Sequence, residues 1–264
     1  MFKLTTQNWS NRMRKIIFKN SRDLSLVGNL YSANSKAIVI MAHGFTSDKS
    51  SQGRFDKIAN ALNSLNLNVL AFDFSGCGDS EPDVLSVNNQ VDDLNSAISL
   101  IKSQGYEKIA LFGYSLGSLI CLKCFNDDIE TMVLMGALTH SMTYDWDAEF
   151  TQEQLIELKS TGIMNIKTES GVYQIGPQML RDFEEIDQET LLKSVTCPVL
   201  IIHGDNEEDI EEVQLLSNSR KGMYLLSETS ELVVIKEAKH DFREQIDQVI
   251  KLSSKWYLKY LFRN

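Results

Sequence analysis

The chain has 264 residues, 26 Lys and Arg against 36 Asp and Glu, a formal net charge of −10 and a pI near 5.0. That balance excludes a partner with a phosphate backbone, because binding there needs clustered Lys and Arg to displace counterions. With 43% hydrophobic and 23% charged residues the chain can bury a sizeable core, and one catalytic domain with an insertion is its simplest organisation.

Segment 1–20 lacks the uninterrupted apolar run of a secretory signal, and no stretch reaches the roughly 20 apolar residues of a membrane span. The four cysteines, Cys77, Cys121, Cys124 and Cys197, are too few for a disulfide framework at this length and read as reduced thiols. The expectation is a soluble cytoplasmic protein acting on a small molecule, with no nucleic acid and no integral membrane segment. Its oligomeric state stays open, a homodimer being one of the states allowed.

Along the chain, Arg12, Arg14, Lys15, Lys19 and Arg22 alternate with apolar Ile16, Ile17 and Phe18, which reads as the polar side of an N-terminal strand. Residues 25–31 predict an antiparallel strand, followed by strands at 37–42, 69–74, 109–114, 132–136, 199–203 and 232–235. Their near-continuous hydrophobicity suits strands covered on both faces. Helical patterns fall at 55–65, 89–102, 116–125, 211–219 and 241–261; in the second, Val91, Leu94, Ala97, Ile98 and Ile101 form a buried stripe. Strands alternating with helices predict an α/β fold with a mostly parallel sheet between helical layers.

Residues 140–197 break this alternation. They are acidic and polar, and predict a cap inserted between the sixth and seventh strands of a core made of 1–139 and 198–264. Thr151 with Gln154 resembles a capping box at a helix start, and 163–166 with 172–175 can pair as a hairpin. Within this stretch His140, Tyr144 and Trp146 are candidate pocket residues.

The chemistry centres on Gly113-Tyr114-Ser115-Leu116-Gly117, a G-x-S-x-G pattern between the strand at 109–114 and the helix at 116–125. A sharp strand-to-helix turn exposes the serine, the glycines remove collisions, and the helix N-terminus favours developing negative charge. Ser115 is thus the candidate nucleophile of an α/β-hydrolase fold. His43-Gly44-Phe45-Thr46 ends the strand at 37–42, and Asp73-Phe74-Ser75-Gly76-Cys77-Gly78-Asp79-Ser80 matches D-x-x-G-x-G-x-S after the next strand. Cys121 and Cys124 match C-x-x-C but fall inside a helix with no second pair to complete a metal site, and neither a phosphate loop nor a dinucleotide fingerprint is present. No cofactor or metal is expected.

With these motifs in order, the stretch 39–118 resembles bacterial carboxylesterases of the cinnamoyl and feruloyl type and, more distantly, monoacylglycerol lipases. The resemblance implies that the backbone N–H groups of Phe45 and Leu116 form an oxyanion hole. It also implies that His43 fixes its loop, with His43 and Tyr114 near the substrate, and that Asp73 anchors a loop. Triads on this fold run Ser, acid, His, and His240 is the histidine placed as the family's base. For the acid, setting Gly204 and Ile210 on the family's G-x-x-D-x-x-V selects Glu207, with Asp205 and then Asp209 as alternatives. The expected reaction is cleavage of a carboxylic ester of small or medium acyl or aryl type through an acyl-enzyme. A thioesterase, amidase, peptidase or acyltransferase could use the same residues, and a non-catalytic ligand-binding scaffold is the alternative outside enzymology.

Overall fold

The computed structural model describes residues 13–262, so Arg12 and the start of the segment read for a signal lie outside the described residues. An eight-stranded sheet runs in the order β1-β2-β4-β3-β6-β7-β10-β11. Its strands are β1 (Met13–Lys19), β2 (Ser25–Tyr31), β3 (Ala37–Ala42), β4 (Asn68–Phe72), β6 (Lys108–Tyr114), β7 (Ile129–Met135), β10 (Val199–Gly204) and β11 (Glu231–Ile235). β1 and β2 pair antiparallel, as does β2 with β4; every pairing from β4 across to β11 is parallel.

Alternation along these strands divides the core into two layers. Ile38, Ile40, Leu70, Leu111, Leu134 and Ile201 face α2 (Val87–Ser103) and α3 (Leu116–Lys123). Val39, Met41, Val69, Phe112, Val133 and Ile202 face α1 (Arg54–Ser64) and α9 (Ile246–Leu261). Both faces are covered, which is why the strands are hydrophobic at nearly every position. The resulting chain is an α/β-hydrolase fold.

Two sequence expectations shift. Arg22 leaves the strand and turns inward, where its guanidinium meets Asp93 at 2.9 Å and Asp83 at 3.1 Å; it ties the first hairpin to the loop after β4 instead of edging a strand. The last helix starts at Ile246 instead of residue 241. Phe242 takes a left-handed φ of 50°, and turns close from Phe242 N–H to Lys239 and from Gln245 N–H to Phe242. A bulky side chain at positive φ cannot continue a right-handed helix.

Between β7 and β10 the chain forms α4 (Trp146–Glu149), α5 (Gln152–Thr161), the hairpin β8 (Met164–Thr168) and β9 (Gly171–Ile175), α6 (Pro177–Glu184) and α7 (Gln188–Lys193). Thr151 and Gln154 close the capping box of α5 reciprocally. β9 also pairs in parallel with a two-residue strand, β5 (Val84–Leu85), giving a second, three-stranded sheet. That pairing ties the segment to the loop after β4, while Tyr173 Oη donating to Ser47 O (3.2 Å) ties it to the loop after β3 and Val87 N–H donating to Asp182 (2.9 Å) ties it to the start of α2. Among the described residues no helix is long and apolar enough to cross a membrane.

Candidate active site

Ser115 sits between β6 and α3 with φ 53° and ψ −123°, a backbone conformation that an L-residue holds only when its surroundings enforce it. The enforcement is visible. Ser115 N–H donates to Met135 O at the end of β7 (2.9 Å), and Ser118 donates to Ser115 O through both its N–H (2.9 Å) and its Oγ (2.6 Å). A Cβ on Gly117 would lie 2.1 Å from Ala42 O, so only glycine lets α3 start this close to the end of β3.

The loop after β3 lies against the elbow: a Cβ on Gly44 would come within 3.2 Å of Ser115 Cβ. His43 is fully buried, its Nδ1 2.9 Å from Gly44 O, its Nε2 3.3 Å from Phe74 N and its ring edge-on to Phe74 at 4.8 Å. Phe74 N–H can only donate, so His43 is neutral with Nδ1–H donating to Gly44 O. Burial holds its pKa below the ordinary value, against the opposing field of Asp73. Asp73, also fully buried, accepts from Lys49 N–H and Lys49 Nζ (2.6 Å each) and from Asp79 N–H (2.9 Å), which joins two loops. Leu116 is the first residue of α3, so its N–H has no acceptor within the helix.

His240 lies on the loop between β11 and α9. Its ring rests against Gly136, directly after the Met135 carbonyl that receives Ser115 N–H: a Cβ on Gly136 would be 2.7 Å from His240 Cε1. The nucleophile candidate and the histidine therefore adjoin the same strand end. His240 Nδ1 is 2.6 Å from Oε2 of Glu212, whose other oxygen, Oε1, accepts from Gly204 N–H (2.8 Å) and meets His203 Nδ1 (2.8 Å). Glu212 is fully buried on the first turn of α8 (Ile210–Gly222). Burial pushes its pKa up, but the hydrogen bonds and charges of His203 and His240 outweigh that and hold it at about 2.

This corrects the expectation placed on Glu207. The chain after β10 turns at once, with Asn206 N–H donating to Ala238 O and Asp209 N–H to Asn206 O, and Glu207 is exposed at the tip of that turn. Asp205 accepts from Glu237 N–H (2.7 Å). Asp209 caps α8 by accepting from Glu212 N–H (3.1 Å) and accepts from His240 N–H (2.8 Å), so it positions His240 through the backbone and not through the ring. Helical phase carried the missing signal: Leu215, Leu216 and Ser219 are buried three, four and seven residues after Glu212, so the carboxylate continues the inward face of α8.

The remaining pocket candidates separate. Tyr114 lines a cavity of about 350 Å³ with Phe45, Thr46, Arg54 and Asp241, and the Arg54 guanidinium stacks 4.8 Å from its ring. Tyr144 lines a second cavity of about 530 Å³ with Met142, Ile210 and Glu211, and its hydroxyl donates to Glu211 (2.7 Å). Trp146 stacks on Tyr144 at 4.7 Å, and both rings pack against Phe183 of α6, whose ring meets Phe45 edge-on at 5.4 Å. Phe183 thus joins the segment between β7 and β10 to the loop beside Ser115. His140 Nδ1 makes local contacts with Ser141, and His43 lies beneath the loop.

His240 has an acid–base consequence. Burial lowers its pKa, but the hydrogen bond and charge of Glu212, with Glu211 and Asp209 behind it, leave it above the ordinary 6.5. A histidine that acts as a base must be unprotonated, so if His240 has that role, activity is expected above the raised pKa and lost as pH falls through it. The acid limb of a kcat/KM profile is therefore expected above pH 6.5, and Glu212→Gln should move any residual activity's limb to lower pH, because burial is then opposed only by the smaller fields of Glu211 and Asp209. A limb that stays in place would contradict the pairing.

Gly136 offers a geometric check. It has φ 56°, and its hydrogen faces the His240 ring. Gly136→Ala is expected to cost about 1–2 kcal/mol from left-handed strain and to lower kcat about 100-fold by displacing the ring. Thermal melts read the first effect and steady-state kinetics the second.

Fold and site together define a hydrolase: a strained serine on an elbow, a histidine on the loop before the last helix, and a buried carboxylate on that histidine. Residues 33–174, more than half the chain, match the family model described as serine aminopeptidase, S33, and the chain belongs to that family. The match spans Ser115 and the loop at 43–46 but ends before Glu212 and His240. Solved structures share the whole architecture at low identity. An α/β-hydrolase, GrgF, from Penicillium sp. sh18 is 17% identical with a TM-score of 0.76, over 94% of this chain and 98% of that one. Est1E from Butyrivibrio proteoclasticus, solved with ferulic acid, is 17% identical at a TM-score of 0.74, over 94% of this chain and 100% of that one. The Pyrococcus furiosus esterase PF2001 is 18% identical at 0.69, over 94% of this chain and 91% of that one. No curated protein matches the sequence.

Proposed function

We propose that this hydrolase cleaves a carboxylic ester of a small or medium acyl or aryl group through an acyl-enzyme, with a Ser115–His240–Glu212 triad. The observation that carries the reading is the strained Ser115 elbow and the Glu212-held His240 ring meeting at one strand end. Ionised Glu212 only accepts, so His240 Nδ1 carries the proton and Nε2 is left as the base. Ser115 Oγ attacks the ester carbonyl as its proton passes to His240 Nε2. The imidazolium is stabilised by Glu212, and the oxyanion by the N–H groups of Phe45 and Leu116, each worth about 3 kcal/mol in such a site. Collapse expels the alcohol, protonated by His240, and water repeats the sequence to release the acid.

Residues 140–197 act in this reading as a cap on a core of 1–139 and 198–264, with Tyr144, Trp146 and Phe183 as the aromatic wall that the substrate meets. Esterases among the structural relatives favour an ester, and four buried, unbridged cysteines suit a cytoplasmic enzyme. The test is a fluorophosphonate probe with the adduct mapped by mass spectrometry, followed by p-nitrophenyl esters of graded acyl length and the matching p-nitroanilides. Labelling at Ser115 with ester turnover is expected. Labelling elsewhere, or faster anilide than ester cleavage, would overturn the reading.

A further inference from the structure

Glu212 reaches His240 from a helix, through a long side chain whose terminal torsion is broad and roughly two-fold. A carboxylate so delivered points one oxygen at the base only if its plane is fixed from the other side. That other side is occupied. His203, the fifth residue of β10, is fully buried, its Nδ1 2.8 Å from Glu212 Oε1 and its Nε2 2.9 Å from Ser219 Oγ; Ser219 Oγ is 3.2 Å from Thr139 Oγ1. Glu212 and Ser219 stand seven residues apart on one face of α8, so the helix grips the imidazole at both nitrogens. Because the carboxylate only accepts, His203 presents an N–H at Nδ1, while the Ser219 hydroxyl, able to donate or accept, meets Nε2.

We propose that His203 is a positioning residue for the hydrolysis: with Gly204 N–H it fixes the plane of the Glu212 carboxylate so that Oε2 stays on His240 Nδ1. The proposal rests on the Ser115–His240–Glu212 reading and adds a second histidine to it. One anionic group then serves two imidazoles, His240 at the reacting centre and His203 behind it.

His203→Leu removes the donor, whereas His203→Asn places an amide N–H near the former Nδ1. With p-nitrophenyl acetate, His203→Leu is expected to lower kcat about 10- to 100-fold, the loss common for a missing supporting hydrogen bond, with KM unchanged. His203→Asn should recover most of that loss. A folded His203→Leu variant within twofold of wild-type kcat overturns the proposal, as does an equal loss in both variants. Should His203→Leu fail to fold, proton NMR of the wild type decides: two far-downfield imidazole N–H resonances are expected, both lost from that position in Glu212→Gln, where one has no acceptor and the other only a neutral amide oxygen, and one lost in His203→Asn. A single resonance in the wild type overturns the bridge. The underlying reading fails differently, by Glu212→Gln retaining wild-type turnover; loss in Glu212→Gln with His203→Leu unaffected removes only the role of His203.

Discussion

Ser115→Ala is expected to lower kcat for ester hydrolysis about 10⁶-fold and to abolish phosphonylation, leaving only what binding and the oxyanion donors supply. The alanine keeps the Cβ and therefore the strained backbone, so KM and thermal stability should stay near wild type. Ser115→Gly separates strain from chemistry. It is equally without a nucleophile, but glycine adopts positive φ freely, which removes about 1–3 kcal/mol of strain against about 0.5–1 kcal/mol of added unfolded-state entropy. An inactive Ser115→Gly with a higher melting temperature is the expected pair of results. A less stable Ser115→Gly would remove the strain argument, and a Ser115→Gly or Ser115→Ala variant that kept ester turnover would remove the nucleophile.

Glu212→Gln is expected to lower kcat about 10⁴-fold, the loss seen when a triad carboxylate becomes an amide and the histidine takes the wrong tautomer. The amide has one acceptor oxygen and one donor nitrogen, while His203 and His240 both present Nδ1 to this side chain. One histidine must then turn or shift its proton, and if His240 does so, Nε2 can no longer accept from Ser115. Glu207→Gln should leave kcat within about twofold, since Glu207 is exposed on the turn and surface changes of this kind rarely matter. Side-by-side kinetics of the two variants decide between the carboxylates. Loss in Glu207→Gln with Glu212→Gln active would restore the assignment made from motif register.

Several features were legible because they are local. G-x-S-x-G needs a strand before it and a helix after it, and both were readable from apolar runs on either side of Ser115. The capping box at Thr151 and Gln154 and the hairpin around residues 169–170 likewise depend on neighbours a few residues away. The short strand β5 was not legible: two residues give no period, and Val84–Leu85 is a strand only because β9 comes alongside. Phe183 escaped notice for a similar reason, since its contact with Phe45 joins positions 138 residues apart.

The sequence by itself determined the fold class and named the nucleophile and histidine candidates, because hydrophobic period, elbow sterics and chain order are written in consecutive residues. Only the tertiary structure decided which carboxylate meets His240. The residues at 205–209 were judged by their distance along a motif, yet a tight turn points Glu207 into solvent and spends Asp205 and Asp209 on backbone N–H groups. The first turn of α8 then rotates Glu212 inward, where Gly204, His203 and His240 converge on it from β10 and the loop after β11. A side chain's direction at a loop-to-helix junction follows from the angle at which the helix packs on the sheet, and that angle is set by contacts far away in sequence.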